Sequence, residues 1–403
     1  MKAWPAPDRP LPVAVFGFDL AEASQVRRIR SLIALGCEVT SFCQRRAGSP
    51  DFTPEWVNVD LGEVRHNDMK GRALRMAGSV RRAVAERDRL PQARIIIARN
   101  LDLALIAQAA RHLAAIRTGG RPAPLVYECL DIHGMMTRPD MAGRIMRRAE
   151  RHILRQSALL VVSSPGFVEN YFGPVQNHRG PTALVENKLW LGLDPAAAPP
   201  RPAGGPRPDR PLTIGLIGSI RCQKSVDLLL AVADRLGPAL QLRFSGQLHD
   251  HAVSGFHQAV AARDNVEWTG PYAYPQDLAR IYAGCDLVWA QDLWQAGTNS
   301  DWLLPNRIYE AGWCGCPPVA VADTQTGRRI VAEGLGFVIE RADPDLLADF
   351  LTRLPGPRLH EARQRLLARP ASDFVLSPGD LRPMLAPVMG FDDAGFDGAA
   401  TKV

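Results

Sequence analysis

Two doubly wound α/β domains in series, Rossmann-like and facing a shared cleft, are what this sequence predicts. Three observations carry the expectation. The chain has 403 residues, about two to three times the usual domain length. Two separate series of short apolar runs alternate with helical stretches, and a proline- and glycine-rich segment stands between the two series.

The first series is LPVAVF (11–16), CEVTSF (37–42), RIIIA (94–98), PLVYE (124–128), ALLVV (158–162) and TALVE (182–186). Near-continuous aliphatic runs are what a parallel sheet covered on both faces requires. Between the first two, residues 21–35 place Val26, Ile29 and Ile33 at helical spacing. The stretch 195–211, PAAAPPRPAGGPRPDRP, continues neither a helix nor a central strand and reads as the linker. A second series follows: LTIGLI (212–217), LQLRF (240–244), NVEW (265–268), CDLVWA (285–290), PPVAV (317–321) and GFVIE (336–340). The predicted domains are therefore 1–194 and 212–352. Residues 353–403 read as a helical segment, with HEARQRLLA at 360–368, and a fraying tail. Open α/β sheets bind ligands outside the carboxyl ends of their strands, so a cleft enzyme is expected.

Composition narrows the class. Hydrophobic residues at 46% and charged residues at 22% exclude a disordered, collagen-like or coiled-coil chain. Seven scattered cysteines without a C-x-x-C pair argue against a disulfide framework and a zinc site, and for a reducing cytoplasm. MKAWPAPDRPLP lacks the apolar core of a signal peptide, and no run approaches a membrane span. Residues 1–190 carry ten more basic than acidic side chains, and residues 191–403 four more acidic than basic. The basic half calls for an anionic partner, such as the inner leaflet of the membrane.

The first motif is LTIGLIGSIRCQKSVDLLLAVADRL: a strand, a turn at Gly218-Ser219, then Arg221 and Lys224 where a helix begins. Gly218 permits close backbone approach, the helix terminus presents free N–H groups, and the two cations add attraction for a diphosphate. An ordinary strand-to-helix turn has the same outline. The second motif is SDWLLPNRIYEAGWCGCPPVAV, a short helix followed at once by a buried strand. Arg307 and Glu310 share a face of that helix. They suit either a surface ion pair or contacts to phosphate and to ribose hydroxyls.

In this order the motifs resemble the GT-B glycosyltransferases, especially the family 4-like group that uses nucleotide-diphosphate sugars. GLIGSIRCQK is similar to that family's diphosphate-binding strand and loop, VEWTGPYAYPQDLARIYAGCDLVWAQ to its nucleobase-side segment, and LPNRIYEAGWCGCPPVAV to its ribose-binding helix. The resemblance implies that Gly218, Ser219, Arg221 and Lys224 hold the donor diphosphate. It gives Glu310 the ribose, the backbone near Tyr272 the base, and loop 294–301 the donor sugar. The family often has a second glutamate eight positions before the one matching Glu310. That position is Trp302 here, which leaves Asn299, Ser300 and Asp301 as the polar groups for the sugar.

LVYECLDIHG (125–134) resembles the strand end that carries an acceptor-side histidine or acidic residue in many relatives. Their histidine directly precedes the aspartate, whereas that position here is Leu130. The resemblance nominates Asp131, with His133 and Glu128 as further acid/base groups; each also suits a helix cap or a structural partner. Asp343-Pro-Asp345 has the outline of a metal-binding D-x-D, but an Asp-Pro helix start explains it. His249, His251 and His257 lack metal-ligand spacing. No metal or further cofactor is expected.

Two basic stretches remain, Arg65 through Arg89 with Lys70, Arg72, Arg75, Arg81, Arg82 and Arg87, and Arg138 through Arg155. In the second, Met141, Ile145, Met146, Ile153 and Leu154 lie among arginines, the pattern of an amphipathic basic helix on anionic lipid or of a core helix with a solvated back. Aromatics do not interleave with these arginines, so nucleic acid is not expected as a partner. The reading is a cytoplasmic enzyme, peripheral at the inner membrane face. It moves a sugar to a hydroxyl acceptor, lipid-linked or part of a growing surface polysaccharide. A GT-B sugar-nucleotide epimerase, a non-catalytic sugar-nucleotide-binding protein and a two-lobed solute-binding protein share the architecture.

Overall fold

The computed structural model describes residues 10–46, 52–64, 72–86, 89–90, 92–192 and 210–389. They form two compact units, one drawn from residues up to 186 together with those from 377 onward, the other from residues 187–376. Most of the stretch 195–211, the tail beyond 389, and Arg65, Lys70 and Arg87 lie outside the described residues.

The first unit is built on β1 (Leu11–Gly17), β2 (Cys37–Arg46), β3 (Val57–Val64), β4 (Ile95–Arg99), β5 (Leu125–Cys129), β6 (Leu159–Val162) and β7 (Thr182–Leu184). All neighbours pair in parallel, in the order β3-β2-β1-β4-β5-β6-β7. Six of these strands are the apolar runs of the sequence. The seventh, β3, was not among them. It is the edge strand, with Val57 48% exposed while Val59 and Leu61 are buried, so its pattern alternates instead of running continuously.

The helix Ala23–Ala34 forms where the sequence predicts it, but buries a different face. Ile29 is buried, whereas Val26 is half-buried and Ile33 exposed; Gln25, Arg28 and Leu32 turn inward instead. The reason is the partner of Arg28, described below.

The second unit contains β8 (Leu212–Ile217), β9 (Leu240–Ser245), β10 (Val266–Trp268), β11 (Leu287–Trp289), β12 (Pro318–Val321) and β13 (Phe337–Ile339). They form a parallel sheet in the order β10-β9-β8-β11-β12-β13. The helix Gln223–Leu236 buries Val226, Leu229, Leu230 and Val232, the face its sequence shows. Both sheets thus have the doubly wound order of Rossmann-like domains. The connections reverse direction between β1 and β4 in the first and between β8 and β11 in the second. Ligands of such sheets bind at these switch points.

The C-terminal stretch is divided between the units. The helices Pro344–Arg353 and Gly356–Ala368 belong to the second unit. The helix Pro378–Met389 belongs to the first, packing against β4, β6 and β7 with Leu381, Met384 and Leu385 fully buried. Apolar periodicity alone does not say which sheet a terminal helix covers. Asp343 caps the helix that follows it, accepting from the backbone N–H groups of Asp345 at 3.0 Å and Leu346 at 3.1 Å. The seven cysteines are free.

Candidate active site

At the switch point of the second unit, five of the six β8 residues are buried, and the strand ends in a turn that only glycine fits. Gly218 has φ +103° and Gly246, at the end of β9, φ +131°. A Cβ at position 246 would lie 1.9 Å from the Gly218 carbonyl oxygen. The two glycines let the ends of β8 and β9 come together, and the backbone laces them. Gly218 N–H donates to the Ser245 carbonyl at 2.8 Å, Ile220 N–H to Gln247 at 2.9 Å, and His249 N–H to Ile220 at 3.0 Å. The Ser219 hydroxyl lies 2.8 Å from His249 Nε2, which places on this rim a histidine whose spacing in the sequence gives it no role.

The helix Gln223–Leu236 starts directly beyond this turn, and its N-cap, Cys222, makes no side-chain cap bond. Its first N–H groups and the positive end of its dipole therefore point back to this turn without a side-chain cap. Arg221 and Lys224 flank it, both exposed. Arg221 Nη2 is 3.8 Å from Asp292 Oδ2, with the arginine side chain 51% exposed.

Asp292 belongs to the loop after β11, across the switch point, and was not singled out from sequence. Its Oδ1 accepts from Trp294 N–H at 2.7 Å and from the Ser300 hydroxyl at 2.8 Å. The same hydroxyl accepts from Gln295 N–H at 2.7 Å. Ser300 is 1% exposed, so the structure makes it a staple of the loop in place of the expected contact to a donor sugar. Asp301 likewise accepts from Gly297 N–H at 2.9 Å, and burial raises its carboxyl above the usual aspartate range. Asn299 is buried at the start of the same short helical turn. Gln291, fully buried, donates to the Asp292 and Ser300 carbonyls and accepts from the Thr324 hydroxyl at 2.8 Å, anchoring the loop.

The helix Asn306–Trp313 supplies the third side of this rim. Arg307 Nε donates to the carbonyl of Ile217 at 2.7 Å. The sequence expectation set Arg307 against phosphate; the structure commits its Nε to the last residue of β8, where it fixes the strand end that launches the Gly218 turn. Glu310, 6% exposed, accepts from the Tyr282 hydroxyl at 2.9 Å. Burial, and next the charge of Glu310, push the Tyr272 phenol well up, while the Arg307 guanidinium works in the other direction. Tyr272, Arg307 and Glu310 are thus within electrostatic reach of one another beside the end of β8.

The rim of the first unit has a different construction. Glu128, on β5 and fully buried, accepts from Arg28 Nε at 2.8 Å through one oxygen and from Arg99 Nε at 2.7 Å through the other. Both arginines are 4% exposed. Arg99 continues to Ser24, through its hydroxyl at 3.1 Å and its carbonyl at 3.2 Å. Burial favours the neutral carboxyl of Glu128, but the two guanidinium charges outweigh it and hold the group below the usual glutamate range. Desolvation in turn lowers Arg28. A carboxylate enclosed this way does not exchange protons with an acceptor. Glu128 is therefore a positioning residue and not the acid/base group expected from sequence, and it ties β5 to β4 and to the helix Ala23–Ala34. Arg28 and Arg99 were missed because nothing local marks them; Arg28 stands 100 residues from its partner.

Asp131 and His133 follow β5 and are exposed. His133 caps the short helix Gly134–Thr137, its Nδ1 accepting from Met135 N–H at 3.2 Å. With Nδ1 accepting, a neutral ring carries its proton on Nε2. The Nδ1 of His133 is thus committed to the helix start, and Asp131 stands two residues before it.

Two family models match the chain, "Glycosyl transferase 4-like domain" over residues 22–187 and "Glycosyl transferases group 1" over residues 211–355. A relative, the succinoglycan biosynthesis protein ExoL of Rhizobium meliloti (strain 1021), is 34% identical over 355 residues, covering 86% of each chain. The chain belongs to the group 1 GT-B glycosyltransferases. Among solved structures, the glycosyltransferase is similar to sucrose-phosphate synthase from Thermosynechococcus elongatus, with TM-score 0.66 and 17% identity over 89% of this chain and 94% of that one. It is also similar to Anabaena HepE in complex with UDP-glucose, with TM-score 0.60 and 16% identity over 92% and 98%. At such identities the likeness is one of fold.

Proposed function

We propose that this glycosyltransferase carries a nucleotide-diphosphate sugar on the rim of its second unit and transfers the sugar to a hydroxyl of a polysaccharide intermediate held by the first. The observation that carries the reading is the turn at Gly218, with a helix terminus beyond it and two exposed cations, Arg221 and Lys224, beside it. The acceptor oxygen attacks the anomeric carbon and gives its proton to Asp131. The bond from sugar to phosphate breaks with its electron pair on the departing diphosphate. Negative charge grows there, so Arg221, Lys224 and the helix N–H groups bind the transition state more strongly than the ground state. Glu310 receives the ribose hydroxyls, Tyr272 lies on the nucleobase side, and Arg307 holds the strand end.

A hexose as the transferred group, polysaccharide assembly as its setting, and diphosphate neutralisation by the chain's own cations without a metal are parts of this proposal. ExoL, named for succinoglycan biosynthesis, supports the setting. HepE, whose solved complexes hold UDP and UDP-glucose, supports the donor class. Among the described residues no group of three or more His, Cys, Asp or Glu side chains is placed to hold a metal ion. Turnover that persists in EDTA is the expected result.

A lipid-linked acceptor at an anionic membrane surface is the companion proposal. Among the described residues no helix is long and apolar enough to cross a membrane. The helix Met141–Gln156, however, exposes Met141 (61%) and Ile145 (60%) beside Arg144 and Arg148, a face suited to resting on anionic lipid. Flotation with anionic but not neutral vesicles is expected, and flotation with neither would remove this part.

The central test is a thermal-shift screen against nucleotide sugars followed by transfer assays. A donor at 100 times its dissociation constant stabilises by about 2.7 kcal/mol. Stabilisation by none of them would sink the reading, and donor turnover that needs no acceptor would replace transfer by epimerisation.

A further inference from the structure

The first unit contains a cavity of about 560 Å³ away from the rim described above. Its walls include Arg151, Leu154 and Arg155 from the end of the helix Met141–Gln156 and His178 and Arg179 from the loop before β7. Ser157 on its wall lies just before β6, and Pro181 just before β7. The cavity therefore opens at the amino ends of the strands. The Glu128, Asp131 and His133 rim is at the opposite, carboxyl end of the same sheet.

Two features of the lining point to an anion. Arg151, Arg155 and Arg179 converge on the cavity, and none has a carboxylate partner among the described residues. Other arginines of this unit face a carboxylate, as Arg30 does Glu55 and Arg45 does Asp60. Second, the wall is preorganised. Arg151 is held by donation to the carbonyls of Gln176 at 3.2 Å and Val175 at 3.0 Å. Gln176 in turn donates to buried Glu150 and to the Tyr171 hydroxyl. His178 lies on the same wall with its Nε2 buried and without a hydrogen-bond partner, so its ring reports on what enters the cavity.

We infer that this cavity is a second anion site, which takes a phosphate group carried on an organic ligand. Guanidinium forks match phosphate oxygens, and uncompensated positive charge in a concave wall concentrates anions. The volume falls within the range of about 300–1,000 Å³ usual for small-ligand pockets and exceeds what a bare ion needs. The phosphate belongs either to a soluble sugar phosphate or to a lipid headgroup, since Arg155 also ends the exposed stripe Met141, Ile145, Arg148, His152.

The test uses the full chain and reads histidine ring signals by NMR, with that of His178 assigned by its loss in His178→Gln. Glucose 1-phosphate is one probe; vesicles of phosphatidylglycerol in phosphatidylcholine, against phosphatidylcholine alone, are the other. A saturable change at His178 with glucose 1-phosphate identifies the soluble source. A change only with phosphatidylglycerol vesicles identifies the headgroup. In either case Arg155→Ala/Arg179→Ala is expected to weaken the effect at least tenfold and leave the melting temperature and nucleotide-sugar binding as they were. A His178 signal that neither probe moves, or that moves equally in the double variant, overturns the proposal. Donor binding by the second unit is scored separately, so the failure of one reading leaves the other standing.

Discussion

At the carboxyl end of the first sheet, Glu128 is enclosed between Arg28 and Arg99, whereas at the same place in the second sheet Arg221 and Lys224 stand in solvent with Asp292 3.8 Å from the arginine. The strand topology around the two switch points is alike. In the first unit the charges neutralise one another inside the protein, so the cluster holds geometry and has nothing left for a ligand. In the second unit the cations are exposed, which under the proposed function lets a diphosphate take them at little desolvation cost. One topology thus yields a closed, neutralised cluster or a pair of exposed cations, according to whether a buried carboxylate sits between the arginines.

The largest expected effect breaks the closed cluster. Glu128→Ala leaves two buried guanidinium groups unpaired and should destabilise the first unit by about 3–5 kcal/mol, measured by urea unfolding. Loss within about 0.5 kcal/mol would mean that the cluster is not what fixes this rim.

The matching change in the second unit should act on turnover alone. Arg221→Ala with Lys224→Ala is expected to lower kcat/KM by about 10²–10³-fold and to leave unfolding nearly unchanged, because both side chains are exposed. Unaltered turnover would disprove the diphosphate assignment.

Gly246→Ala is intermediate. Its Cβ would meet the Gly218 carbonyl oxygen at 1.9 Å at a backbone angle few residues adopt. A cost of about 1–3 kcal/mol together with weakened donor binding is expected, and calorimetry with a nucleotide sugar reads both.

The smallest effect sharpens the comparison through pH. The Glu128 carboxyl titrates below its ordinary value of 4.5 in the folded chain. Its contribution is therefore complete above that value and is lost as pH falls through the folded one. The stability gap between wild type and Glu128→Ala should narrow over that acid window, whereas Arg221→Ala/Lys224→Ala should track wild type throughout.

The same two regions show what a linear reading can see. The apolar face of the helix Gln223–Leu236 was legible because its neighbours are the adjacent strands and its apolar positions recur at helical spacing. The face of the helix Ala23–Ala34 was not, because Arg28 is drawn inward by a carboxylate on a strand far along the chain, which rotates Ile33 out. The turn at Gly218 announces itself locally. Asp292, His249 and the stapling role of Ser300 depend on which loops meet above the sheet.

The sequence by itself determined the doubly wound architecture, the turn that presents helix N–H groups and two cations, and the membership these motifs suggest. Hydrophobic runs, glycines and helix starts are local, and local free energies are written in consecutive residues. The tertiary structure alone decided which carboxylates are neutralised, which arginines stay in solvent, and where the last helix packs. Each of those outcomes is set by the electrostatic and packing energy of groups that only folding brings within a few ångströms.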